Sequence, residues 1–160
     1  MPMKNFAKLI LLWGLIAMEA SADNLYFTAT GEEDGNPLIF RSLHSIPSGV
    51  EEADYPYLIS IYWPYQSQGK GMPNAETNDS QILFEDSLVH LDKLGISHLM
   101  LVVTGNGRKE WHWYAADVEH WMQLFNKALT DQPVFPIDIE NSKQPNWSLY
   151  HNFVSGVEGI

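Results

Sequence analysis

The 160-residue chain has no cysteine, which excludes disulfides, thiolate metal sites, a cysteine nucleophile and a lipidated amino-terminal cysteine. Positive charge is scarce: 9 Lys and Arg stand against 20 Asp and Glu, a formal net charge of -11. A nucleic-acid binder held mainly by phosphate contacts needs a basic face, so that class is excluded. Apolar runs of membrane-spanning length are missing too. The stretch Leu9 to Met18 is far shorter than the roughly 20 residues a helix needs to cross a bilayer. No Gly-x-Ser-x-Gly elbow, Walker loop, His-Glu-x-x-His helix or His-x-x-x-His spacing occurs, so the common hydrolase, nucleotide and zinc-protease signatures are absent. What is present, 45% hydrophobic and 12% aromatic residues, suffices for a packed core and argues against disorder.

Lys4 and Lys8 precede that apolar stretch, and Ala20-Ser21-Ala22 follows it. Charge, apolar segment and small-x-small site together predict a signal peptide over residues 1–22, cleaved between Ala22 and Asp23. Cleavage removes two lysines and one glutamate, taking the net charge to -12. The expected product is periplasmic or secreted, with residues 23–160 as one α+β domain and no membrane span after cleavage.

Leu25 to Thr30 and Leu38 to Leu43 are β-rich runs flanking a turn cluster, Gly31 to Pro37, and predict a hairpin. Tyr57, Ile59, Ile61 and Trp63 alternate as a strand ended by Pro64. Leu83, Phe84, Ser87, Leu88, Leu91 and Leu94 share one side of a helix closed by Gly95. Leu99 to Thr104 and a strand from Lys109 flank Asn106-Gly107, the type I′ hairpin signal. Asp117 caps a helix to about Leu129, with Val118, Trp121, Met122, Phe125 and Leu129 as its buried stripe. Phe135, Ile137 and Ile139 mark the last strand, and Trp147 with Tyr150 a carboxy-terminal segment packing back on the sheet.

From Tyr55 to Glu140 the order is strand, helix, strand, strand, helix, strand. That pattern predicts a ferredoxin-like split βαβ sandwich: a four-stranded, mainly antiparallel sheet with two helices on one face, plus the amino-terminal hairpin. If Ile59, Ile61, Trp111, Trp113, Ile137 and Ile139 face the helices, the other parity lines an open surface. Ser60, Tyr62, Glu110, His112, Tyr114, Asp138 and Glu140 therefore form the candidate interaction face, acidic and aromatic.

Tyr55-Pro56, Trp63-Pro64, Gly71-Met72-Pro73, Thr104-Gly105-Asn106-Gly107-Arg108, Trp111, Tyr114, Pro136-Ile137, Trp147 and Tyr150 resemble the family catalogued as domain of unknown function 695. The resemblance covers most of the mature chain and supplies no reaction. Some members join this domain to one resembling a ribonuclease E inhibitor, which implies regulation by protein contact. No such second domain is expected in these residues, and the expected export signal would separate the chain from a cytoplasmic ribonuclease.

Gly105-Asn106-Gly107 beside Arg108 has the composition of a phosphate cradle, but a strand follows it where a cradle needs a helix amino terminus, so it reads as a hairpin. Arg108 is expected to pair with an internal carboxylate. His112 with Asp138 and Glu140 offers metal-ligand types, and Asp138 with Glu140 an acid–base pair; a solvated edge strand explains both spacings. No catalytic residue, cofactor or metal is implied. The expected function is a non-enzymatic protein-binding or regulatory module whose partner carries a basic surface, or a homodimer through the open face. The alternative is a small-ligand-binding protein or enzyme using the same polar face.

Overall fold

The computed structural model describes residues 18–21, 24–67 and 69–157, with side chains described from Tyr26 onward. One sheet contains β1 (Met18–Ser21), β2 (Asn24–Glu33), β3 (Asn36–Leu43), β4 (Tyr57–Pro64), β5 (Ser97–Gly105), β6 (Arg108–Ala115) and β7 (Asp138–Lys143). Their order is β1-β2-β3-β5-β6-β4-β7, and every neighbouring pair is antiparallel. Six of the strands follow residue 23. Three helices, α1 (Ala75–Ser87), α2 (Val118–Ala128) and α3 (Ser148–Gly156), complete the α+β architecture. Among the described residues no helix is long and apolar enough to cross a membrane. Most of the expected leader and the Ala22–Asp23 cleavage site lie outside the described residues. The last described stretch of the expected leader, β1, pairs with Asn24–Phe27.

Two turns set the register. Asp34 and Gly35 between Glu33 and Asn36, and Asn106 and Gly107 between Gly105 and Arg108, have positive φ at both central positions. That geometry twists with the strands and closes two-residue hairpins. The amino-terminal hairpin does not stand apart, because β3 pairs with β5 over Leu38 to Ser42.

The expected four-stranded sheet with helices on one face is therefore too small a description. Leu99 to Thr104 is apolar at both parities, as a strand covered on both faces must be. On one face α1 and α2 cover Ile59, Ile61, Trp63, Trp111, Trp113 and Val102. On the other, α3 supplies Leu149 and Phe153 to a cluster of Phe27, Leu38, Phe40, Leu101 and Val103. Phe153 stacks on Phe40 with ring centroids 4.9 Å apart.

Helix boundaries follow their caps. Asn74 accepts from the Thr77 N–H at 2.8 Å and Asp117 from the His120 N–H at 2.7 Å, satisfying donors that the first turn leaves unpaired. The stripe expected on α1 is rotated: Gln81, Phe84, Leu88 and Leu91 are buried, whereas Leu83 is 44% and Leu94 62% exposed. The helix ends at Ser87 and a 3-10 turn, Val89–Leu91, follows, so the 3.6-residue period does not continue to Leu94. β7 also starts later than expected, at Asp138. Pro136 has no N–H to give to a ladder, and Phe135 packs instead against Trp63 and Phe84, with centroids at 5.4 and 5.2 Å.

Candidate functional site

Strand register brings the seven candidate residues to one face. Ser60 lies opposite His112 on β6 and Glu140 on β7, Tyr62 opposite Glu110 and Asp138, and Leu58 opposite Tyr114. That face is not open across its centre. Ser60, Glu110, His112 and Tyr114 are buried, Tyr62 and Glu140 are half-buried, and Asp138 is exposed. Over Tyr114 the cover comes from the carboxy-terminal segment, where Trp147 stacks on Tyr114 and Tyr150 packs against both.

Beneath it the polar groups satisfy one another in a continuous chain. Ser60 Oγ lies 2.8 Å from His112 Nδ1, and His112 Nε2 lies 3.1 Å from Glu110 Oε2. Arg108 Nε donates to the other Glu110 oxygen, and Arg108 Nη2 reaches Glu33 Oε2 at 3.4 Å. Asn106 donates to the same Glu33 oxygen at 2.9 Å and accepts from Asn36 Nδ2 at 2.9 Å. The chain thus runs from the sheet centre to the tips of both hairpins. Arg108 makes the internal ion pairs that its sequence context predicts.

Electrostatics keep Glu110 a carboxylate. Burial pushes the Glu110 carboxyl up, but hydrogen bonds and charge from His112 and Arg108 outweigh it and hold Glu110 below the usual carboxylate range. Burial pulls Arg108 down, and Glu110 with Glu33 more than reverses that. A carboxylate at Glu110 accepts from His112 Nε2–H, and the other ring nitrogen, Nδ1, lies beside the Ser60 hydroxyl. This is the connectivity of a serine–histidine–acid relay with the ring nitrogens exchanged. Ser60 Oγ, however, faces a neighbouring strand in a residue only 4% exposed, and Ser60 lines neither of the two hollows described below. Burial raises the Tyr62 phenol, with Glu110 and Glu140 adding to the rise and the Ser60 hydrogen bond opposing it.

Two hollows lie elsewhere. One of about 480 Å³ opens between Ile46, Val50, Glu52 and Pro145. The other, about 130 Å³, is a crevice between the sheet and the end of α1, bordered by Tyr26, Asp92 and Trp113. No group of three or more His, Asp or Glu among the described residues could hold a metal ion. The sequence missed two histidine contacts, His98 Nδ1 to Asp92 at 3.1 Å and His151 Nε2 to Glu52 at 2.6 Å. Their partners are not at helical or strand spacing, so no periodicity could have found the second.

A family model described as a family of unknown function, DUF695, matches residues 27–155. The chain belongs to this family. No curated protein and no solved structure matches it. Some of the residues through which this DUF695 sequence resembles the family gather at two joints, while Trp63, Trp111 and Ile137 belong to the helix-side core. At one, Gly71 O accepts from Gly107 N–H and from the Tyr65 hydroxyl, both at 2.9 Å, and a Cβ on Gly71 would stand 2.6 Å from Asn106 N. At the other, Trp147 Nε1 donates to Tyr55 O at 2.9 Å and the Tyr150 hydroxyl to Leu43 O at 2.9 Å. Both joints hold loops of the DUF695 fold to its sheet.

Proposed function

We propose that this chain is an exported, non-enzymatic DUF695 module that acts by binding a protein partner with a basic surface. One observation carries the reading: Ser60, His112 and Glu110 on the candidate face are buried and bonded to one another, leaving an acidic rim. Asp138 is exposed, Glu140 and Tyr62 are half-exposed beside it, and these lie on or next to the edge strand β7. A net charge of -12 after leader removal would steer a basic partner toward such a rim. The order β7-β4-β6-β5, with α1 and α2 on one face, supports a ferredoxin-like relationship for the central four strands.

The test is crosslinking of the exported chain in its own compartment, beside an Asp138→Lys, Glu140→Lys double variant. The expected result is a basic protein crosslinked to the wild type and lost from the variant, rebinding when purified with an affinity that falls as salt rises. Equal crosslinking of the variant overturns the rim as the contact. Intact mass of the exported product checks the leader, with Asp23 expected as first residue.

A second reading, a ligand site or enzyme on the same face, is favoured only by the Ser60–His112–Glu110 connectivity. It requires the buried Ser60 to become accessible, and Ser60-dependent labelling by a serine-reactive fluorophosphonate would favour it over the binding module.

A further inference from the structure

The two ends of the sheet are built differently. At one end β7 has six residues, and Asp138, Glu140 and Lys143 place charge along it. Short charged strands are how proteins keep a sheet edge from adding further strands. At the other end β1, four residues of the expected leader, lies against Asn24–Phe27 of β2. Removal of the leader makes β2 the outermost strand.

β2 carries none of the usual protection. It has 10 residues, and Asn24 to Gly31 reads Asn-Leu-Tyr-Phe-Thr-Ala-Thr-Gly, with no charge and no proline. Its register with β3 runs from Tyr26 to Glu33 without a bulge. The pair that closes a two-residue hairpin is hydrogen-bonded, and bonded pairs alternate from there. Counting back from Glu33 and Asn36, Ala29 and Phe27 bond to β3, whereas Thr28, Tyr26 and Asn24 turn their N–H and C=O groups outward. β1 meets those outward groups at Asn24 and Tyr26, which shows that this edge accepts an antiparallel strand.

We propose that, once the leader is gone, the β2 edge pairs antiparallel with the β2 edge of a second copy, joining two sheets across a two-fold axis. The inference rests on the export reading, which removes β1, and concerns a surface at the opposite end of the sheet from the β7 rim. A second copy fits because the segment is its own complement. Antiparallel pairing of Asn24–Gly31 with itself sets no like charges opposite one another and lays apolar and aromatic residues side by side. Elsewhere the two copies, each at -12, repel, so the neutral segment is where they can approach. Salt screens that repulsion and should tighten the dimer, the reverse of its effect on a basic partner at the rim.

The test is sedimentation equilibrium of the exported chain over a range of concentration and salt, after intact mass has identified its first residue. The expected result is a product starting at Asp23 in a monomer–dimer equilibrium that moves toward dimer as salt rises. Thr28→Pro removes an outward N–H and leaves the bonds to β3, so it should weaken the dimer about tenfold or more. Thr28→Glu puts a carboxylate opposite Arg41 in its own chain and into the self-paired segment of both copies. It should weaken the dimer similarly at low salt and recover at high salt, and it reports even if the proline variant fails to fold. A product starting at Asp23 that stays monomeric throughout, or a dimer untouched by both variants, overturns the proposal and leaves the export reading standing. A product that retains Met18 to Ser21 overturns the export reading, and with it the opening of this edge.

Discussion

Trp147 lies flat on Tyr114, ring centroids 4.4 Å apart and planes 6° from parallel. The contact buries Tyr114, on the same sheet face as the polar chain. Trp147 is held at φ 47, a left-handed conformation that costs a bulky residue about 1–2 kcal/mol. Its stacking, its complete burial and its bond to Tyr55 O offset that strain.

Trp147→Ala should therefore lower stability by about 3–5 kcal/mol, the usual cost of truncating a buried large aromatic. Trp147→Phe keeps a stacking ring and loses the indole donor, leaving Tyr55 O unpaired, for a smaller loss of about 1–3 kcal/mol. Urea unfolding of both variants measures the order. An unchanged midpoint for the alanine variant would show that this stack does not hold α3 down.

Where the sequence was legible, the signals were local. Asn106-Gly107 closes its hairpin and Asp117 caps α2 because each feature depends on neighbours within a few residues. The face assignment of Ser60, His112 and Glu110 was readable for the same reason, since strand parity has a period of two. Their burial was not, although Trp147 and Tyr150 were rightly expected to pack back on the sheet, because strand parity does not say which face such a segment covers. α3 has only nine residues, and no side chain caps it at Trp147, so neither periodicity nor a cap announced a helix. The bulge at Leu99/Leu101 and the 3-10 turn after Ser87 each shift a period by a fraction that apolar patterning does not resolve.

Glu110→Gln removes the charge that Arg108 and His112 share. Breaking one side of a buried pair costs on the order of 3 kcal/mol near neutral pH. Because the folded-state pKa of Glu110 is depressed, this stabilisation is full above the ordinary carboxylate value of 4.5 and is lost as pH falls from there through the lower folded value. Wild type and variant should thus converge in stability as pH drops below about 4.5, when unfolding is measured across that range. A constant gap would mean that Glu110 does not carry the charge.

Gly71 and Gly35 both have positive φ, 73° and 79°, yet only Gly71 faces backbone within van der Waals distance. Gly35→Ala should cost only the left-handed penalty, roughly 1–2 kcal/mol. Gly71→Ala adds a clash with Asn106 N that no side-chain rotation relieves, a further loss of about 1–3 kcal/mol. Equal losses in thermal unfolding would show that the loop before α1 yields freely and is not clamped to the β5–β6 turn.

Tyr150 donates to Leu43 O and is 2% exposed, and its burial, with Glu52 adding to it, raises the phenol to about 12. A raised folded-state pKa leaves stability intact below the ordinary phenol value of 10 and removes it as pH climbs toward 12, because the unfolded chain ionises first. Tyr150→Phe gives up a hydrogen bond worth about 1 kcal/mol but also gives up that alkaline loss. At neutral pH the wild type should be the more stable. Its advantage should shrink above pH 10 by about 1.4 kcal/mol per pH unit and vanish near pH 11. Denaturant titrations of the two proteins at neutral pH and at pH 11 check this, and parallel curves at both would show that the Tyr150 hydroxyl does not titrate late.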